Sequence, residues 1–184
     1  MDPWAILLRG INVGGKRPIS MAALREAFVD LGFDDPVTYI QSGNVVVSSR
    51  RKKSQRAVSA IERHLTDTFG HDARVVVRDL AEMTRIVREI PKDWDVADRS
   101  TRHNVIFLTD AISPRAVLDS VTLKPGIESA RAGAHALYWS APLATITRTS
   151  MVKLSSHPDY PEMTVRNLRT TLKLFDLMRQ RTAP

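Results

Sequence analysis

Two short loops near the N-terminus contain the residue types best suited to binding a ligand. The first is Arg9-Gly10-Ile11-Asn12-Val13-Gly14-Gly15-Lys16, and it follows the apolar run Trp4-Ala5-Ile6-Leu7-Leu8. A glycine-rich turn that leads into a helix offers free backbone N–H groups and the positive end of the helix dipole to an anion. We therefore predict an anion site that is contacted by Arg9, Asn12, Gly14, Gly15 and Lys16. The alternative is a turn in which the glycines serve only tight geometry.

The same loop nearly matches a Walker A motif, because Gly10 is followed after four residues by Gly15 and Lys16. Arg17, however, stands where that motif requires the Ser or Thr that binds magnesium. The helix predicted after the loop also leads into a tight hairpin and not into the crossover of a parallel sheet. These two departures disfavour a P-loop NTPase.

The second loop, Gln41-Ser42-Gly43-Asn44, lies between two short β-prone runs, residues 37–40 and 45–47. Gln41, Ser42 and Asn44 would place uncharged polar groups at the tip of buried strands, and we predict that they contact the ligand. Ser-Gly-Asn is equally good hairpin chemistry. A turn without a binding function is therefore the alternative.

The third candidate is the pair Arg166 and Asn167, at the start of a helix predicted from residue 164 to 181 and capped by Thr164. A cation in the first turn opposes the helix dipole, so Arg166 should have an anionic or carbonyl partner. Asn is disfavoured inside a helix unless it makes a specific hydrogen bond. We predict that Arg166 and Asn167 act with the two N-terminal loops. A solvated basic helix face is the alternative.

Several other chemistries have little support in the sequence. The chain has no cysteine, which excludes disulfides, thiolate catalysis and cysteine-ligated zinc. Its five histidines show no paired spacing of the kind that metal sites use. We therefore predict no metal site and no cofactor, and no reaction can be identified from the sequence.

The order of predicted elements positions the N-terminal loops. The first half reads strand 4–9, helix 20–32, strand 37–41, strand 45–49, helix 55–69 and strand 74–78. This βαββαβ order is the ferredoxin-like pattern, in which an antiparallel sheet carries both helices on one face. In that fold we expect the hairpin at residues 41–44 to lie at the opposite end of the sheet from the glycine-rich loop. Strand 4–9 lacks polar alternation, so both of its faces should be buried.

The second half repeats this order in degraded form, with strand 104–109, helix 113–121, strands 127–132 and 136–140, an extended connection at 141–163 and the helix 164–181. We therefore predict an α+β protein of two packed ferredoxin-like βαββα-type subdomains with antiparallel sheets. The predicted domains are residues 1–78 and 103–184, joined by a helical linker at 79–102.

Three stretches of the chain have a specific order and spacing: Leu7 to Lys16, Thr38 to Val46, and Met163 to Leu168 followed by Lys173-Leu174. They resemble the signatures of a bacterial family called domain of unknown function 1697, and together they cover nearly the whole chain. Leu168 departs from the pattern, since the resemblance implies a Trp after the Arg-Asn pair. The resemblance implies no activity.

Length and charge set the class of partner. The chain has 184 residues and a net charge of +7, which favours anionic partners such as nucleic acid, nucleotides or phosphorylated metabolites. Good solubility is the simpler explanation of the same charge. The sequence contains no signal peptide and no long apolar run, so we expect a cytoplasmic protein with no membrane partner.

Taken together, these features predict a protein that recognises nucleic acid or a phosphorylated ligand through a glycine-rich cationic site. Two alternatives remain open. One is an enzyme acting on a small phosphorylated or carboxylated substrate, which requires a concave pocket. The other is a structural protein that assembles with itself. The sequence does not predict the oligomeric state.

Overall fold

A computed structural model of the chain describes residues 1–9, 19–70 and 72–182. The chain divides into two units, Met1–Met83 with Lys173–Pro184, and Thr84–Leu172. The predicted boundaries at 78 and 103 follow element order, whereas these units follow spatial contacts. Their boundaries therefore fall inside two helices, after Met83 and after Leu172.

The first unit is built on a four-stranded antiparallel sheet with the strand order β2-β3-β1-β4. Its strands are β1 (Asp2–Leu8), β2 (Asp34–Tyr39), β3 (Asn44–Ser49) and β4 (Val75–Asp79). Helix α1 (Met21–Asp30) connects β1 to β2, and helix α2 (Gln55–Phe69) connects β3 to β4. This arrangement confirms the predicted βαββαβ unit and its antiparallel sheet.

Local signals in the sequence fix the ends of both helices. The Ser20 hydroxyl accepts a hydrogen bond from the Ala23 N–H (3.1 Å) at the start of α1, and Ser54 caps α2 in the same way. Gly70 ends α2 with a φ of +69°, a left-handed conformation that glycine adopts without steric cost. The two helices therefore begin where hydroxyl side chains replace the missing helical hydrogen bonds.

Both faces of β1 are buried, as predicted. On one face, Trp4, Ile6 and Leu8 pack in a core with residues of α1 and α2 that include Leu24, Phe28, Ile61 and Leu65. On the other face, Ala5 and Leu7 are fully buried. The final turns of helix α5 (Leu168–Gln180) also belong to this unit, where Arg181 donates to the Ser48 hydroxyl (3.0 Å) and to the Asp35 carbonyl (2.5 Å).

The second unit contains a sheet of the same topology, with the strand order β6-β7-β5-β8. Its strands are β5 (Thr101–Leu108), β6 (Ser129–Ala132), β7 (Ala136–Pro142) and β8 (Met163–Asn167), and its helices include α3 (Leu80–Arg88) at the start and α4 (Pro114–Ser120). All three strand pairs are antiparallel. The α+β class and the two antiparallel sheets are therefore as predicted.

Two predictions for the second unit are wrong. Residues 143–162 are not an extended connection but three 3₁₀ helices, Leu143–Arg148, Ser150–Ser156 and Tyr160–Glu162, which we call the 3₁₀ segment. Residues 163–167 are not helical but form the edge strand β8, in which Arg166 is paired with Val105. The apolar residues of this stretch recur with a helical period, but β-branched residues such as Val165 also favour a strand. Pairing with β5 therefore decides its conformation.

The two sheets end in a repeated sequence that joins a strand directly to a helix. Val77-Arg78-Asp79-Leu80 ends β4 and begins α3, and Val165-Arg166-Asn167-Leu168 ends β8 and begins α5. Each arginine is buried and donates to the carbonyl of the preceding valine, at 2.8 Å for Arg78 and 2.9 Å for Arg166. Each following side chain caps its helix.

In both caps the side chain accepts a hydrogen bond from the backbone N–H three residues further along the chain. The Asp79 carboxylate accepts from the Glu82 N–H (2.9 Å), while the Glu82 carboxylate accepts from the Asp79 N–H (3.1 Å), which makes a capping box. The Asn167 side-chain oxygen accepts from the Thr170 N–H (2.8 Å). Asn167 therefore has a structural role at the start of α5.

We expect Asn167→Ala to lower the free energy of unfolding by about 1 kcal/mol, since it removes the oxygen that caps α5. Asn167→Asp is the matched control, because it keeps an acceptor in the same place and should cost much less. Urea denaturation followed by circular dichroism measures both. Equal stability of the Ala and Asp variants would contradict the capping role.

Candidate functional site

The hairpin between β2 and β3 lies beside the end of β1. The Leu8 N–H donates to the Gly43 carbonyl (2.7 Å), and Leu7 is paired with Asn44. The expectation that this hairpin lies at the opposite end of the sheet from the loop after β1 is therefore wrong. The reason is topological: β1 and β3 are antiparallel neighbours, so the end of β1 meets the start of β3, which the hairpin immediately precedes.

The start of β4 lies at the same edge of the sheet. The Arg9 N–H donates to the Arg74 carbonyl (2.9 Å), and Leu8 is paired with Val75. Three segments that are distant in sequence thus meet here. We call this place the β1-end site and define it by Arg9, residues 40–44 and Arg74.

The cations of the β1-end site differ in exposure. Arg9 is half-buried, whereas the side chain of Arg74 is 52% exposed. Arg74 lies 3.8 Å from a Glu62 carboxylate oxygen and 3.7 Å from one of Asp72, both longer than a hydrogen bond. Glu62 also accepts the Val75 N–H (3.1 Å). The guanidinium of Arg74 is therefore held only loosely by its neighbours.

The hairpin is closed by Asn44, which is fully buried. Its amide donates to the Tyr39 carbonyl (3.0 Å) and to the Ser42 hydroxyl (2.9 Å). Gln41 and Ser42 are exposed at the tip. Asn44 thus fixes the loop, while Gln41 and Ser42 are its accessible polar side chains.

The backbone of the hairpin is strained at Ile40, whose φ is +49°. A β-branched residue rarely adopts this left-handed conformation, which costs about 1–2 kcal/mol for a side chain with a Cβ. The Ile40 side chain is 52% exposed, so its burial in a core does not compensate for the strained backbone. Backbone strain that local packing does not require is frequent at binding sites.

The remaining predicted contacts of the glycine-rich loop, Asn12, Gly14, Gly15 and Lys16, lie outside the described residues. Their role stays a prediction. They follow Arg9 directly in sequence.

Arg166 was predicted to be a cation in the first turn of a helix. It is instead a buried residue of strand β8 in the second unit. Its guanidinium donates to the Thr164 hydroxyl (2.7 Å) and to the Val165 carbonyl (2.9 Å). Burial lowers the pKa of Arg166 to about 10, which still leaves it charged at neutral pH. That Arg166 and Asn167 act with the N-terminal loops stays a prediction.

Both the sequence and the fold of the chain are similar to those of known proteins. The sequence model of a family described as "Protein of unknown function (DUF1697)" matches residues 1–138. The chain belongs to the DUF1697 family. The solved structure of the conserved bacterial protein SP0830 from Streptococcus pneumoniae is similar to it, with a TM-score of 0.82 and 27% sequence identity over 96% of this chain and 98% of that chain. No curated protein matches the chain.

Neither the description of the family nor that of the related structure names an activity. The function of the β1-end site therefore has to be inferred from its residues. No cluster of metal-binding side chains occurs among the described residues. Within that same part of the chain, no helix has both the length and the apolar character needed to cross a membrane.

The second unit of this DUF1697 protein contains a Ser–His pair that sequence spacing did not reveal, because its members are 37 residues apart. Ser120 Oγ lies 2.8 Å from His157 Nε2, but it donates its own proton to the Val117 carbonyl (2.7 Å). The Asp159 N–H donates to His157 Nδ1 (3.1 Å), so Nε2 carries the proton of the neutral ring. An imidazole in this tautomer cannot activate Ser120 as a nucleophile.

The positive φ of Ile40 predicts that Gly gives a more stable protein than Ala at this position, whereas Ala is more stable than Gly at most positions. At a positive φ only Ala carries the Cβ penalty, so Ile40→Gly should be more stable than Ile40→Ala by about 1 kcal/mol. Val152 is the control, since it is 61% exposed in a 3₁₀ helix and does not have a positive φ. There, Gly should be less stable than Ala by roughly 0.5–1 kcal/mol. Urea midpoints of the four variants decide this; the same order at both positions would refute the strain.

Proposed function

We propose that the β1-end site binds an anionic ligand through a phosphate group. The observation that carries the proposal is the hydrogen bond from the Leu8 N–H to the Gly43 carbonyl, at 2.7 Å. It holds the polar hairpin against the end of β1, where Arg9 leads into the glycine-rich loop. Arg9 of the first motif and the hairpin of the second therefore lie at one edge of the sheet.

The chemistry of this edge suits a phosphate. The Arg9 N–H donates a hydrogen bond of 2.9 Å to the Arg74 carbonyl, so the two arginine side chains branch from neighbouring points of the backbone. Arginine binds phosphate oxygens through paired, charge-assisted hydrogen bonds. The exposed Gln41 and Ser42 add neutral donors beside them. The loose pairing of Arg74 with its carboxylate neighbours leaves it able to exchange them for a ligand.

The strained hairpin supports the same assignment. Ile40 occupies an unfavourable backbone conformation immediately before Gln41 and Ser42. The left-handed conformation of Ile40 shapes the loop tip. The buried Asn44 amide holds the tip in this shape through its hydrogen bonds to Tyr39 and Ser42. A binding loop that is already ordered loses less conformational entropy when its ligand arrives.

Two sources of phosphate share this chemistry, nucleic acid and small phosphorylated molecules. The net charge of +7 favours association with either. They differ in salt dependence, because a nucleic acid that contacts several cations releases several counterions. A steep loss of affinity with salt indicates nucleic acid, and a shallow one indicates a single phosphate.

We expect Arg9→Ala to weaken binding of a labelled oligonucleotide by about tenfold or more at low salt, since it removes a charge-assisted hydrogen bond. Arg115→Ala is the control, because Arg115 is 75% exposed and lies on α4, where it pairs with Asp119. It removes the same charge and should change affinity much less. Fluorescence anisotropy, with inorganic phosphate as competitor, measures both. Equal losses in the two variants would show that only net charge matters.

A further inference from the structure

The second unit contains a cavity of about 540 Å³ between one face of its sheet, α4 and the 3₁₀ segment. The corresponding face of the first unit carries α2, a helix of 15 residues that buries Ile61 and Leu65. In the second unit the connection between β7 and β8 is the 3₁₀ segment, in which Leu154 is the buried apolar side chain and Thr149 the buried polar one. The cavity therefore occupies space that a second packed helix fills in the first unit.

The cavity is lined mainly by apolar side chains. Ile106, Leu137 and Trp139 form its floor on the sheet, and each is almost completely buried. The walls include Val117 and Leu118 of α4 and Met151 and Leu154 of the 3₁₀ segment. Its volume lies within the range of small-molecule sites, roughly 300–1,000 Å³. Such a lining favours hydrocarbon or aromatic groups over water.

Glu128 holds one wall of the cavity in place. Its carboxylate accepts hydrogen bonds from Trp139 Nε1 (2.7 Å), the Ser150 N–H (2.8 Å) and the Ser150 hydroxyl (2.8 Å). Burial acts to raise the pKa of Glu128, but these hydrogen bonds outweigh it and hold the pKa below its usual value. The carboxylate therefore remains charged at neutral pH and ties the 3₁₀ segment to β7.

Two further links hold the rest of the 3₁₀ segment. The Thr109 hydroxyl donates to the Glu162 carboxylate (2.5 Å), and the Thr109 N–H donates to the Glu162 carbonyl (2.9 Å). His157 Nε2 forms a hydrogen bond with the Ser120 hydroxyl of α4 (2.8 Å). The segment is thus fixed at its middle and its end, which prevents it from collapsing onto the sheet.

The rim of the cavity is cationic. Lys124 and Lys153 both line it and both are exposed. Neither ammonium group forms an ion pair with any of the residues that the structure describes. The charged Glu128 accepts a hydrogen bond from the Lys124 backbone N–H (3.1 Å) and is not within ion-pair distance of either ammonium group.

We propose that this cavity binds a small amphipathic carboxylate, with its hydrocarbon body on Ile106, Leu137 and Trp139 and its carboxylate at Lys124 and Lys153. The site is distinct from the β1-end site in position and in chemistry. It selects for an apolar body with one anionic end, whereas the β1-end site selects for phosphate. The two proposals therefore stand or fall separately.

Calorimetric titration with hexanoate, octanoate and decanoate tests the apolar part of the site. Each added methylene that is removed from water should strengthen binding by about fourfold. We therefore expect at least a tenfold gain from octanoate to decanoate, and no measurable binding of acetate. A flat series would overturn the proposal.

Variants of the two lysines test the charged part. Lys124→Ala combined with Lys153→Ala should weaken octanoate binding by about tenfold and leave the binding of 1-octanol unchanged. Lys52→Ala combined with Lys92→Ala removes the same charge from exposed positions outside the cavity and should have little effect. Equal losses in the two double variants would overturn the proposal.

A cavity-filling substitution provides the last arm of the test. Ala130 lines the cavity from β6, and Ala130→Phe should abolish decanoate binding without any change of charge. Normal decanoate binding by a folded Ala130→Phe protein would contradict the assignment. If that variant does not fold, the lysine pair and its control decide the matter, since exposed lysines contribute little to folding.

Discussion

The antiparallel pairing of β1 with β3 is the interaction on which the arrangement of the first unit depends. Because β1 also pairs with β4, it is a central strand, and both of its faces are buried. The pairing with β3 ends with the hydrogen bond from the Leu8 N–H to the Gly43 carbonyl. A central strand cannot shift its register without exposing a whole row of apolar side chains. The position of Arg9 beside the hairpin is therefore determined by the core, and the ligand-binding proposal rests on that fixed position.

The second unit combines the same sheet topology with different connections. Its β5 and β7 pair as β1 and β3 do, yet β5 continues into Thr109-Asp110 and not into a glycine-rich loop. The difference that matters lies between β7 and β8, where the 3₁₀ segment replaces a packed helix. One fold thus presents a polar edge in one unit and an apolar cavity in the other, because the two units differ in their connections and not in the order of their strands.

The sequence predicted most of the first unit, because its signals are local. Ser20, Ser54 and Gly70 mark helix ends, and periodic apolar residues mark the buried faces. The strand β8 was missed because its pairing with β5 is not local, and the same error hid the repeat that relates Arg166 to Arg78. The hairpin was placed at the wrong end of the sheet, because the pairing of β1 with β3 that fixes its position is not local. The ligand contacts of its residues stay a prediction. The cavity could not be predicted, since it arises from the absence of a helix and no residue pattern records it.

A titration of isotopically labelled protein with inorganic phosphate, followed by amide NMR at low salt, tests directly whether the β1-end site binds phosphate. If it does, the amide signals of Arg9, Gln41, Ser42 and Arg74 should shift together and saturate with one dissociation constant. Exposed cations elsewhere, such as Arg50 and Arg115, should show only small, unsaturated shifts. Shifts that are scattered over the exposed cations, with no saturation at the end of β1, would contradict it.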